Sequence, residues 1–221
     1  MSVQIAIDGP SGAGKSSLSR KVAEKLGYVY IDTGAMYRTI GLYVKRRGVG
    51  PKEENQVKEL LGEIHLDVRH VAGVQHIFLN GEDVSEEIRR HEISQYASDV
   101  STLPSVRAFL LDYQRQLAQS NNVIMDGRDI GTVVLPGATV KIFLTADPRD
   151  RAKRRYRELC AKGSSVDFEK VYQDILERDR QDSSRAAAPL KPAPDAILLD
   201  TTGNEFEESV RQILEIIKGR L

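Results

Sequence analysis

Ile5-Ala6-Ile7-Asp8-Gly9-Pro10-Ser11-Gly12-Ala13-Gly14-Lys15-Ser16-Ser17 runs from a short apolar strand through a glycine-rich turn into a helix, and its reading decides the fold. Gly9, Gly14, Lys15 and Ser16 fill the G-x-x-x-x-G-K-[ST] pattern of a phosphate-binding P-loop, with an amphipathic segment (Leu18, Val22, Leu26) behind it. Each part has a physical task. Gly9, Gly12 and Gly14 let the backbone turn and approach an anion closely, so that successive N–H groups form a nest at the positive end of the helix. Lys15 supplies a mobile charge to the β- and γ-phosphates, and the Ser16 hydroxyl is placed to ligate Mg²⁺.

Composition bounds the remainder. A chain of 221 residues has room for one α/β domain with a buried sheet and an inserted lobe. Its 32 basic and 32 acidic residues balance, which gives no overall attraction to nucleic acid or acidic membranes, so phosphate must be attracted locally. A single cysteine, Cys160, excludes an intramolecular disulfide framework and reads as an ordinary thiol on a helix. No apolar run approaches the ~20 residues of a membrane span and no signal peptide precedes the first strand, so a cytoplasmic protein is expected. His65, His70, His76 and His91 show no metal-ligand spacing with one another or with Cys160 and read as surface residues.

Along the chain a βα rhythm dominates, without internal repeats. Val29-Tyr30-Ile31 reads as a second buried strand ending in Asp32-Thr33-Gly34, and a helix from about 35 to 47 is broken by Gly48 and Pro51. From about 64 to 84 the period changes to two, with turns at Ala72-Gly73 and Asn80-Gly81, which predicts an antiparallel meander outside the main sheet. Pro104 opens a long helix ending near Asn121-Asn122, and Val123-Ile124-Met125 forms a third strand delivering Asp126-Gly127-Arg128-Asp129. A fourth strand spans about 140–144, followed by Asp147 as N-cap and Pro148 in the first helical position. Helices around 149–162 and 168–182, a proline-bearing loop, a strand at 197–199 and a closing helix from about 205 complete the chain. Short apolar runs alternating with helices predict a five-stranded parallel sheet covered on both faces. Ligands of such sheets bind beyond the carboxyl ends of the strands, where Asp8, Asp32 and Asp126 fall.

Asp126 closes a strand expected beside the P-loop strand, the place where P-loop enzymes hold Mg²⁺ through water; Asp8 could serve the same purpose or brace the turn. Arginines form the second constellation. Arg151, Arg154 and Arg155 have the i, i+3, i+4 spacing of one helix face, and Arg128, directly after a buried strand, is suited to aim its fork at phosphate. There is no Asn-Lys-x-Asp motif of a GTPase, nor the Asp-Glu pair expected of a motor or helicase. Arginines around a P-loop fit a small-molecule phosphotransferase, in which closure excludes water so that the acceptor takes the phosphoryl group. An acceptor that is itself a phosphate needs positioning and charge neutralisation but no general base. The other readings considered are a small kinase for another acceptor, such as AMP, UMP or shikimate, and an ATP-binding module associated with nucleic acid; the absence of an aromatic-interleaved basic patch weighs against the latter.

Gly9 to Lys15, Asp32-Thr33-Gly34-Ala35-Met36-Tyr37-Arg38, Asp126-Gly127-Arg128-Asp129-Ile130-Gly131-Thr132 and Arg178-Asp179-Arg180-Gln181-Asp182-Ser183-Ser184-Arg185 together resemble the bacterial cytidylate kinase family over essentially the whole chain. The resemblance implies a P-loop kinase fold comprising residues 1–221, with a monophosphate lobe at about 35–100 that contains the meander and a short helical lid at about 149–166. It implies transfer of the γ-phosphoryl of ATP to CMP or dCMP in pyrimidine metabolism, with Mg²⁺, by a monomer with no nucleic-acid or membrane partner. Ser16-Ser17 departs from the Gly-Thr that some members carry after the lysine, so either serine could reach the metal, with Ser16 favoured by the P-loop pattern.

By the same resemblance, residues 9–17 (Gly9, Pro10, Ser11, Gly12, Ala13, Gly14, Lys15, Ser16, Ser17) with Arg154 and Arg155 would bind ATP. Lys15, Arg38, Arg128 and Arg185 would be catalytic, the three arginines holding the acceptor phosphate. Thr33, Tyr37 and Gly127 would line the acceptor pocket, Arg178 and Asp182 would meet the ribose, and Ser98, Arg107 and Asp129 would read the base. The last assignment has independent chemical sense. Cytosine offers acceptors at O2 and N3 and an amine at N4, so an arginine fork suits the first two and a carboxylate suits the third. Uracil reverses the pattern at positions 3 and 4.

Overall fold

The computed structural model describes residues 2–71, 73–119, 121–161 and 163–221, so the expectations on Ala72 and Lys162, like that on the His91 side chain, lie outside the described residues. In chain order the elements are β1 (Gln4–Asp8), α1 (Lys15–Leu26), β2 (Val29–Asp32), α2 (Thr33–Arg46), α3 (Glu54–Leu61), β3 (Leu66–Val71), β4 (Val74–Leu79), β5 (Glu82–Asp83), α4 (His91–Val100) and α5 (Pro104–Leu117). After them come β6 (Val123–Gly127), one π-helical turn (Ile130–Val134), β7 (Val140–Thr145), α6 (Pro148–Ala161), α7 (Phe168–Ser184), β8 (Ile197–Asp200) and α8 (Phe206–Lys218).

Five strands form one parallel sheet in the order β2-β6-β1-β7-β8, so the P-loop strand is central and β6 is its neighbour. The register aligns Asp8 with Gly127 and Asp32 with Asp126, which brings the strand-end carboxylates to one edge of the sheet. The apolar runs separate by period two: Ile5 and Ile7 join α1 and α8 in one core, while Ala6 faces the other, filled by α2, α5 and the meander. Asp147 caps α6 as expected, accepting from the N–H of Arg149 at 2.8 Å. Among the described residues, no helix is long and apolar enough to cross a membrane.

β3, β4 and β5 form a separate antiparallel sheet, which docks on the exposed edge of β2 through side chains. Gln75 acts as an extra strand residue: its Oε1 accepts from the N–H of Asp32 at 2.8 Å and its Nε2 donates to the Asp32 carbonyl at 3.3 Å. His70 lies 2.8 Å from the Tyr30 carbonyl, where its Nε2 must donate. The edge of the main sheet is thereby covered.

Two helices depart from the expected order. α3 carries only Val57 and Leu61 as buried anchors, one i, i+4 pair in eight residues, too little period to be read in a sequence. In α4 the apolar stripe of Ile93, Ala97 and Val100 is diluted by Ser94, Gln95, Ser98 and Asp99, which turn toward other polar groups. Gly41 makes this helix possible in its place: a Cβ there would lie 2.9 Å from the Ala97 nitrogen, so α2 and α4 touch backbone to backbone.

Candidate active site

The P-loop follows from local backbone demands. Gly9 adopts φ 149°, and a Cβ there would come within 2.0 Å of the Leu144 carbonyl oxygen on β7. Gly14 caps α1 in the left-handed conformation, which aims the first N–H groups of the helix into the loop. Lys15 Nζ donates to the Pro10 carbonyl at 2.7 Å, spanning the loop it belongs to. Burial, and then the charge of Arg128, hold its pKa well below the ordinary lysine value. Beneath the loop, Arg151 is almost fully buried: Nη1 donates to the Ser11 carbonyl at 2.8 Å, Nε to the Ala146 carbonyl at 2.9 Å, and Nη2 pairs with Asp179 at 2.5 Å. Arg151 is a brace for the loop.

The strand-end carboxylates divide their tasks. Asp8 uses both oxygens on the turn that follows β6, accepting from the N–H of Ile130 at 2.8 Å and of Gly131 at 2.7 Å. Burial raises its pKa to about 6 against the lowering effect of those two bonds. Asp126 faces the loop instead, with Oδ2 accepting from the Ser16 hydroxyl at 2.9 Å and Oδ1 from the Tyr30 hydroxyl at 2.8 Å. Burial, and then the charge of Asp32, raise it too to about 6. Ser16 and Asp126 are thus two hard oxygen donors at the mouth of the P-loop, a donor set that fits Mg²⁺ arriving on nucleotide phosphates. Asp8 is committed elsewhere, and Ser17 is exposed.

The wall opposite the P-loop is dense with charge. Asp32 caps α2 by accepting from the N–H of Ala35 at 2.9 Å, and its other oxygen holds Arg38 at 2.7 Å. Arg128 Nε donates to Asp182 at 2.7 Å, with Arg185 3.8 Å from the same carboxylate. Burial opposes the charge of Arg128, yet its pKa is raised because the Asp182 carboxylate outweighs that cost. Arg107 pairs with Asp129 and lies over the Tyr37 ring, its guanidinium carbon 5.8 Å from the centroid. Three guanidinium donors in this wall are buried without a hydrogen-bond partner: Arg38 Nε, Arg178 Nε and Arg185 Nη2. Burial, followed by the repulsion of Arg128, lowers Arg178 to about 10, which leaves it charged at neutral pH.

These walls enclose a cleft of about 420 Å³ at the carboxyl ends of the strands. Ser11, Gly12, Gly14, Lys15, Ser16 and Ser17 line one side, and Thr33, Tyr37, Arg38, Ser98, Arg107, Gly127, Arg128, Asp129, Arg178, Asp182 and Arg185 line the other. Gly9, Pro10 and Ala13 shape the loop from behind and do not line it. The three α6 arginines share one helix face but take different partners. Arg151 is under the loop, Arg154 is drawn to the Thr201 carbonyl at 2.6 Å and to Asp150 at 2.7 Å with its Nη1 beside Gly14, and Arg155 lines the cleft. Arg20, Arg89, Ser94 and Ser101 also line the cleft and were not singled out in the sequence. Arg20 stands one helical turn after Ser16, a spacing that could have revealed it; Arg89 and Ser94 come from the stretch whose structure has no clear period.

A family model described as cytidylate kinase matches residues 5–219. The chain belongs to the cytidylate kinase family. Curated cytidylate kinases resemble it over nearly their whole length: that of Caldicellulosiruptor bescii is 49% identical over 97% of this chain and 95% of its own, and that of Caldanaerobacter subterraneus subsp. tengcongensis is 50% identical over 99% and 96%. The relative from Leuconostoc mesenteroides is 48% identical over 99% of this chain and 97% of its own. Among solved structures, an uncharacterised protein from Eubacterium ventriosum shares the fold, with a TM-score of 0.51 at 14% identity and 99% of each chain covered. The chain is accordingly a nucleotide-binding phosphotransferase built on a P-loop.

Proposed function

We propose that the cleft transfers the γ-phosphoryl group of ATP to CMP or dCMP, with Mg²⁺, giving ADP and the diphosphate. The observation that supports this reading is the gathering of Arg38, Arg128, Arg178 and Arg185 round one cleft with a P-loop, three of them carrying a buried donor with no hydrogen-bond partner among the described residues. A buried, unmet donor costs free energy, and arginines in excess of the carboxylates that pair with them fit an anion. The acceptor phosphate would take the donors on Arg38 and Arg185, together with Arg128, and the acceptor's ribose the one on Arg178. Asp32 and Asp182 hold Arg38 and Arg128 in position meanwhile.

On the donor side, the N–H groups of residues 11–16 would cradle the ATP phosphates, and Lys15 would exchange the Pro10 carbonyl for the β- and γ-oxygens. Arg154, whose Nη1 lies beside Gly14, and Arg155, which lines the cleft, are the α6 arginines that would approach ATP. Ser16 and Asp126 would hold Mg²⁺, the serine directly and the carboxylate through water. The metal would neutralise charge on the transferring group. Because the acceptor oxygen already belongs to a phosphate anion, positioning and charge neutralisation suffice and no base is required.

Asp182 and Arg178 would meet the ribose. Arg107, Asp129 and Ser98 would read cytosine, the carboxylate accepting from the 4-amino group. Residues of about 35–100 would act as the monophosphate lobe and about 149–166 as the lid that closes over ATP. The test is ADP release by the purified protein with ATP and Mg²⁺ against CMP, dCMP, UMP, AMP, GMP, shikimate and no acceptor. Fast turnover with CMP and dCMP and slow turnover with UMP is the expected result; turnover that is equal with and without acceptor would contradict it.

A further inference from the structure

Ser98 enters the cleft from α4, and its hydroxyl donates to Gln181 Oε1, 3.1 Å away on α7. A serine hydroxyl can donate or accept, so alone it meets the amine of cytosine and the carbonyl of uracil equally well. Gln181 removes that ambivalence. An amide oxygen only accepts, so the Ser98 proton is committed to it, and lone pairs are what the serine turns to a ligand. The amide cannot reverse, because its Nε2 lies 3.3 Å from Asp99 Oδ1, and a flip would set two oxygens against each other. Asp99 is itself buried, with Lys52 Nζ at 3.4 Å and Gln95 Nε2 at 3.5 Å. A series of one-way hydrogen bonds therefore runs from Ser98 through Gln181 to Asp99, outside the groups assigned to the substrate.

We infer that Gln181 is a specificity-determining positioning residue, which makes Ser98 an obligate acceptor for the amino group of a cytosine base and repels the corresponding carbonyl of uracil. The inference rests on the proposed seating of the base at Ser98, Arg107 and Asp129. The 4-amino group has two hydrogens, and Asp129 and Ser98 supply one acceptor each. With uracil, a carbonyl oxygen would face two acceptors and no donor.

The test compares kcat/KM for CMP over that for UMP in the wild type, Gln181→Met, Ser98→Ala and the double variant. Gln181→Met frees the Ser98 hydroxyl to turn, and should lower the ratio about three- to tenfold, chiefly by improving UMP, while kcat for CMP changes less than about twofold. Ser98→Ala should lower the ratio as well, and adding Gln181→Met to it should do nothing further. A role confined to stability would slow both substrates alike, so an unchanged ratio in Gln181→Met beside an eroded one in Ser98→Ala would overturn the inference and leave the base seat standing. An unchanged ratio in Ser98→Ala would overturn both. Should Gln181→Met fail to fold, Asp99→Asn carries the same test, because it lets the amide reverse: erosion of the ratio supports the inference and an unchanged ratio overturns it.

Discussion

The two walls of the cleft are built by different means. The P-loop wall is made of backbone: Lys15 is held by the Pro10 carbonyl, Arg151 by the Ser11 and Ala146 carbonyls, and Asp8 by two N–H groups. Gly9 permits a contact with β7 that no side chain would allow. The opposite wall is made of side chains from α2, α4, α5, β6 and α7, joined by ion pairs and left with unmet guanidinium donors. On the proposed reading, the first wall would meet its ligand largely with groups that backbone contacts already hold, and the second would be completed by its ligand. Preorganised backbone dipoles suit a triphosphate that every nucleotide kinase must hold, whereas exchangeable ion pairs suit an acceptor that must be told from its analogues.

The largest effect is expected where the complete wall meets the reacting group. Lys15→Ala should lower turnover by roughly 10²- to 10⁴-fold while circular dichroism and thermal unfolding report an intact fold. A fully active variant would break the comparison at its stronger side. On the other wall, Arg128→Met should cost roughly ten- to a thousandfold in kcat/KM, by removing a phosphate contact and leaving Asp182 with one fewer cation. Near-normal kinetics would return Arg128 to the role of a scaffold ion pair. Asp129→Ala should spare the chemistry more and act on selectivity, reducing the preference for CMP over UMP by about ten- to a hundredfold. An unchanged ratio would remove Asp129 from the base seat.

A further effect, on stability and not on turnover, concerns the backbone-built wall alone. Asp8 ionises near 6 in the fold and near 3.8 in the unfolded chain, so between those values the folded state binds the extra proton. Its contribution to stability is present below the lower value and lost as pH rises through the upper one. From about pH 4 to about pH 7, the unfolding free energy of the wild type should therefore fall relative to Asp8→Asn, by up to about 3 kcal/mol. Denaturant unfolding across that range checks it, and parallel curves would show that Asp8 is not perturbed in the fold.

What could be read in the sequence follows the same division. The P-loop, the five strands of the main sheet and the capping Asp147 are local patterns, and each lies where its spacing places it, although the edge strand β8 leaves Leu198 exposed. The meander was legible through its change of period, although nothing local disclosed that Gln75 and His70 would fasten it to β2. α4 was not legible, because Ser94, Ser98 and Asp99 interrupt its apolar stripe in order to serve the cleft and its supports. The arginines of α6 show the limit of spacing as an argument: adjacent positions on one helix lead Arg151 under the loop, Arg154 to Thr201 and Arg155 into the cleft. Which guanidinium meets a carboxylate and which is left for a ligand is decided by packing among five elements, and no single stretch of chain contains that information.

The central claim is that the acceptor phosphate completes the side-chain wall. It is tested most directly by following arginine Nε–H resonances in ¹⁵N-arginine-labelled protein, assigned with single variants, during titration with CMP and separately with cytidine. The Nε–H signal of Arg38, whose donor has no hydrogen-bond partner among the described residues, should shift downfield and become protected from exchange with CMP and not with cytidine. A signal that ignores CMP, or responds alike to CMP and cytidine, would contradict the account.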